Sequence, residues 1–134
     1  MKYEFLEHTA EIKFKAYGKS LEEAFENAVL ALSSYIGRDK KIKSKGKKEI
    51  EIEGKDKKNL LYNLLEEMIF LFDSENFIVS KSSIKLNDNS LKVQFYGDDS
   101  SNYKGLNHVK SPTYSEMLVE KAKNKWTLQA VLDV

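Results

Sequence analysis

The stretch KKNLLYNLLEEMIFLFDSE constrains this chain more than any other. Leu60, Leu61, Leu64, Leu65, Met68, Ile69, Leu71 and Phe72 recur at helical spacing, yet they cover far more of a helix than a single stripe. Such a helix has little surface left for water. It must lie against a sheet on one side and against something else on the other. Asp56 stands at the N-cap position, where a carboxylate accepts a free backbone N–H of the first turn.

The flanking segments supply the partners. Ile12 to Tyr17 alternates Ile12, Phe14 and Ala16 against Lys13, Lys15 and Tyr17, the pattern of a half-buried strand ended by Gly18. Ser20 and Glu23 have the spacing of a capping box. Leu21, Ala24, Phe25, Ala28, Leu32, Tyr35 and Ile36 then define an amphipathic helix, with Gly37 as its expected C-terminal cap. The lysine-rich GRDKKIKSKGKK reads as a solvated loop with room for a short strand inside it, and KEIEIEG as a strand with Ile50 and Ile52 facing a core. After the long helix, NFIVSKSSIKL and SLKVQFYG flank the turn former NDN. TYSEMLVEK and KWTLQAVLDV flank AKNK and form a second expected hairpin, with Trp126, Leu128, Ala130 and Leu132 on one face.

The order strand, helix, strand, helix, then β-hairpins predicts an α+β fold. Its expected form is two helices packed on one face of a mostly antiparallel or mixed sheet. At 134 residues the chain is expected to make one domain, residues 1–134. Cys is absent, which excludes disulfides and thiolate metal sites. No apolar run approaches the ~20 residues needed to span a bilayer, and the acidic N-terminus lacks a signal-peptide core. A cytoplasmic protein without a membrane partner is the expectation. Net charge is +1, and Arg38 is the only arginine. Lysine is a poor substitute for the planar guanidinium that reads guanine bidentately, which argues against a sequence-specific nucleic-acid reader.

Phosphate-binding, dinucleotide, His-Glu-x-x-His and serine-elbow motifs are all missing from the sequence. The informative acids lie at opposite ends of the chain. Glu11 opens a strand, and Asp133 closes another beside Val134. A chain stopping at VLDV sets a terminal carboxylate beside that of Asp133, and like charges so close call for a cation between them. With Glu11 added, the cluster would be an all-oxygen site suited to calcium or magnesium. Two unrelated surface carboxylates would read the same way. From the residues alone, a metal-dependent enzyme acting on a phosphoester or nucleotide stays open. So does an RNA-binding or chaperone module using the lysines of residues 40–48.

FLEHTAEIKFKAYGKSLEEAFENAVLAL resembles the opening of the archease family, a His-Thr-Ala-Asp strand followed by a Ser-Leu-Glu-Glu-Ala-Phe helix. GKDKKNLLYNLLEEMIFLFDSE resembles the family's second helix. VKSPTYSEMLVE resembles its Val-Lys-Ala-x-Thr-Tyr segment, and WTLQAVLDV its ending. The four pieces occur in order over nearly the whole chain. The resemblance implies a non-enzymatic accessory protein of the RtcB-type RNA ligase of tRNA splicing. In that role it promotes guanylylation of the ligase and multiple turnover, and meets tRNA only through the ligase. It also implies a calcium site, or one for another hard divalent cation, at Glu11, Asp133 and Val134. Lys110 is expected near that acidic end, with His8 and Thr9 forming the turn that aims Glu11. Glu11 stands where the family usually has Asp, and Ser115 where many prokaryotic members have His. Pro112 removes a strand donor from the third segment.

Overall fold

The computed structural model describes residues 1–8 and 10–134. Its elements are β1 (Tyr3–Leu6), β2 (Glu11–Gly18), α1 (Leu21–Gly37), β3 (Gly46–Glu53), α2 (Lys57–Glu75), β4 (Phe77–Asn87), β5 (Ser90–Asp99), β6 (Ser111–Ala122) and β7 (Lys125–Asp133), with a 3-10 turn at Ser100–Asn102. The strands form two antiparallel sheets, one ordered β1-β2-β7-β6 and one ordered β3-β5-β4. The α+β class stands, but the single expected sheet is two. α1 packs against β2 and β4, and α2 against β6, β4 and β3, so each helix touches both sheets. The second sheet is the "something else" that the wide apolar surface of α2 requires. Leu60, Leu61, Leu64 and Leu65 are wholly buried.

α1 fills the same layer by a different device. Ala24, Ala28 and Ala31 are fully buried and let strands approach closely, while Phe25, Val29 and Leu32 fill the space beside them. Two of its polar residues reach across to strand carbonyls that the sheets leave free. Asn27 donates to Tyr17 O at 2.6 Å and Ser33 to Val79 O at 2.6 Å, which satisfies groups that would be costly if buried unpaired. The caps largely follow the sequence. Ser20 accepts from Glu23 N–H at 3.1 Å and Asp56 from Asn59 N–H at 2.8 Å. At the other end of α1, Arg38 rather than Gly37 takes the left-handed cap conformation, and its N–H closes on Ser34 and Tyr35 carbonyls.

Three features lie outside the periodicity. β1 is only four residues long, and pairs Tyr3 to Leu6 with Ala16 to Lys13. Residues 38–45 contain no strand, but the end of the lysine-rich stretch, Gly46 to Lys48, belongs to β3 and not to the expected loop. In β6, the chain takes five steps from Thr113 to Leu118 where β7 takes two from Val131 to Gln129. This wide bulge carries Tyr114, Ser115 and Glu116 out of the ladder. Pro112 is accommodated because β6 is the edge of its sheet.

Candidate functional site

Register alone brings the two ends of the chain together. Glu11 opens β2 and faces Asp133 at the end of β7. Directly opposed residues of antiparallel strands project to the same side of the sheet, with Cβ atoms about 5 Å apart. Phe14, Ala130, Ala16 and Leu128 hold the core side of this strand pair. Glu11 and Asp133 therefore project from the opposite face. On the far side of β7, Ser111 pairs with Asp133, and Lys110 N–H donates to Asp133 O at 2.8 Å. Lys110 and Val134 are both exposed. The structure thus gathers Glu11, Asp133, Val134 and Lys110 at one end of one sheet. Thr9 lies outside the described residues, so the turn proposed for His8 and Thr9 is seen only through His8 and Ala10, which has φ 60°.

His8 does not simply point Glu11. Its Nε2 donates to Glu116 Oε2 at 2.8 Å, while Nδ1 lies 3.5 Å from Glu11 Oε1. That Nδ1 is buried and makes no hydrogen bond among the described residues. Glu116 Oε1 accepts from Lys13 Nζ at 2.9 Å. The bonds from His8 and Lys13 hold the Glu116 carboxyl below the usual glutamate range. Glu116 also closes the bulge through its backbone, since its carbonyl accepts from buried Gln129 Nε2 at 2.7 Å. The result is a chain of side chains running Glu11, His8, Glu116, Lys13 across the sheet end.

Glu116 and Lys13 were not singled out from the sequence. Lys13 carried a signal, being two residues beyond Glu11 on the same face of the strand. Glu116 carried none, because its place depends on a bulge with no local signature. Ser115 is exposed, and its N–H is taken by Thr113 Oγ1 at 3.0 Å.

The donor chemistry at Glu11 and Asp133 suits a hard cation, with two carboxylates on one face and main-chain oxygens at Val134 beside them. Among the described residues no three His, Asp or Glu side chains lie close enough to hold an ion unaided. Water and main-chain oxygen would have to complete any coordination shell here. No helix among the described residues is long and apolar enough to cross a membrane.

Two antiparallel sheets enclosing two helices, with Glu11 and Asp133 opposed at one sheet end, make up the architecture. A sequence model of the archease protein family (MTH1598/TM1083) matches residues 3–134. The chain is 39% identical over 137 residues to the archease of Sulfolobus acidocaldarius, and 36% identical over 137 residues to that of Sulfurisphaera tokodaii, covering 99% of both chains each time. The archease of Pyrococcus abyssi is 36% identical over 140 residues, again with 99% of each chain covered. Protein 1598 of Methanobacterium thermoautotrophicum superposes with a TM-score of 0.79 at 27% identity, over 98% of both chains. The Thermotoga maritima archease shares the fold, with a TM-score of 0.68 at 24% identity over 96% of this chain and 94% of that one. The chain belongs to the archease family.

Proposed function

We propose that this protein is an accessory factor of an RtcB-type RNA ligase in tRNA splicing, promoting guanylylation of the ligase and its repeated turnover. The observation that carries the reading is the register pairing of Glu11 with Asp133, in a chain matched to the archease family along almost its full length. The Thermotoga maritima relative is described as a possible chaperone, and an accessory role agrees with that description.

Glu11, Asp133 and a main-chain oxygen of Val134 are the groups that would hold calcium or another hard divalent cation. When bound, such an ion would supply a concentrated positive charge able to attract phosphoryl oxygens. This chain's own residues do the positioning. Glu116 fixes His8, and His8 stands against Glu11 and limits where its carboxylate can swing. Lys110, exposed and tied to Asp133 O through its backbone N–H, is a further cationic residue at this sheet end for a phosphate-bearing partner. Glu11 is one methylene longer than the aspartate usual in the family, which calcium's flexible shell tolerates better than magnesium's octahedron.

The test is ligation of cleaved RNA by a purified RtcB-type ligase at substoichiometric enzyme. Wild-type protein should raise the number of turnovers per ligase, whereas Glu11→Ala and Asp133→Ala should leave the ligase near a single turnover. Full stimulation by both variants would overturn the reading.

A further inference from the structure

A groove of about 710 Å³ lies at the far end from Glu11 and Asp133. It opens where Gly18 pairs with Trp126, seven strand steps or roughly 23 Å along β2 from the acid pair. Lys2, Lys19, Lys81 and Lys125 line it. They come from the segment before β1, the β2–α1 turn, β4 and the start of β7, so only the tertiary fold assembles them. All four are exposed, and none forms a salt bridge among the described residues.

Two carboxylates share the groove, and both are already engaged. Glu23 accepts from Lys19 N–H at 2.8 Å, and Glu26 accepts from Ile84 N–H at 2.9 Å. Their charge remains, but one oxygen of each is held by a backbone N–H, and neither carboxylate forms a salt bridge with a lysine among the described residues. Two of the lysines are also pre-positioned on rings. Lys125 Nζ sits 4.1 Å from the Tyr17 ring centroid and Lys81 Nζ 5.5 Å from that of Tyr96. Contacts of this kind hold a long side chain without neutralising it. Asn124 and Ser82 add hydrogen-bonding groups to the wall.

We propose that this groove binds the phosphate backbone of single-stranded RNA. Lysines from four segments around a concave channel, none of them in a salt bridge among the described residues, match a flexible chain of phosphates, whereas a flat lipid surface would reach only the rim. Lysine rather than arginine supplies the charge, which fits contact with phosphates and not with base edges. The site is separate from the acid pair, so it does not depend on the ligase reading.

Fluorescence anisotropy with a 5′-labelled single-stranded RNA tests this on the full chain. Affinity should fall with salt, with a log–log slope of roughly −1.4 to −3 for two to four phosphates neutralised. The variant Lys2→Gln/Lys19→Gln/Lys81→Gln/Lys125→Gln should lose at least tenfold in affinity, with a shallower slope. A control with the same charge change, Lys55→Gln/Lys57→Gln/Lys58→Gln/Lys92→Gln, should bind nearly as wild type. Undetectable binding of RNA by wild type at low salt overturns the proposal. So does equal loss in both quadruple variants, or retained binding in the groove variant with its fold intact by circular dichroism.

Discussion

Glu116 holds φ 57°, a region that costs an ordinary residue a Cβ clash. Its carboxylate and carbonyl together engage His8, Lys13 and Gln129, and those contacts offset the strain. Two substitutions separate the contributions. Glu116→Gly removes the carboxylate contacts to His8 and Lys13 and the strain, whereas Glu116→Ala removes the same carboxylate contacts and keeps the strain. Thermal melts should therefore rank wild type above Gly, and Gly above Ala. Asp98 supplies a pH test. It is buried at the end of β5, where Tyr103 OH donates to Oδ2 at 2.8 Å and Asp99 N–H and Asn102 donate to Oδ1 at 2.8 and 3.2 Å. The Tyr103 bond is the main cause holding its carboxyl below the usual aspartate range, although burial pushes the other way. A depressed carboxyl pKa contributes stability that is complete above the unfolded value and lost as pH falls through the folded one. Asp98→Asn should thus melt lower than wild type at pH 7, and the gap should close as pH drops below about 4. A constant gap across that range would show that Asp98 acts by shape and not by charge.

At the scale of elements, α2 shows how a sequence pattern demands a topology. Its width predicts burial on two sides, and both sheets meet it. Leu64→Ala should therefore destabilise the fold by about 2–5 kcal/mol in urea titration. A smaller loss would mean that α2 is less tightly enclosed. β4 and β5 make a second demand at Gly97, where an added Cβ would run into the Ile78 carbonyl oxygen. Backbone cannot yield there without breaking the hairpin. Gly97→Ala should cost at least the 1–3 kcal/mol typical of overpacking, read from the same titration. Regular alternation made β3 and the two hairpins legible, since period-two burial is written into each strand locally. β1 was not legible. Four residues give too short a run to separate a strand from a tail, and β1 forms because β2 offers an open edge.

At the scale of the whole molecule, the acids of β2 and β7 meet at one end and the lysines of the groove gather at the other. A net charge of +1 conceals this separation. If Glu11 and Asp133 hold calcium in the native state alone, adding it should raise Tm, since a ligand that binds only the folded form stabilises it by about 2.7 kcal/mol at a hundredfold excess over Kd. Differential scanning fluorimetry with calcium, and then with excess chelator, should show a reversible shift. Glu11→Ala and Asp133→Ala should each abolish it. An undiminished shift in both variants would move the ion elsewhere on the protein.

Neighbouring residues and ordered motifs suffice to set the elements that repeat with a fixed period, the helix starts at Ser20 and Asp56, and the family. They also point to Glu11 and Asp133, though only as acids at two strand ends. Tertiary structure alone decided that they face one another, because register depends on how whole strands pair and not on either residue. The same holds for the second sheet, the bulge that delivers Glu116 to His8, and the four lysines of the groove. All of them are contacts between segments far apart in the chain, which local periodicity cannot encode.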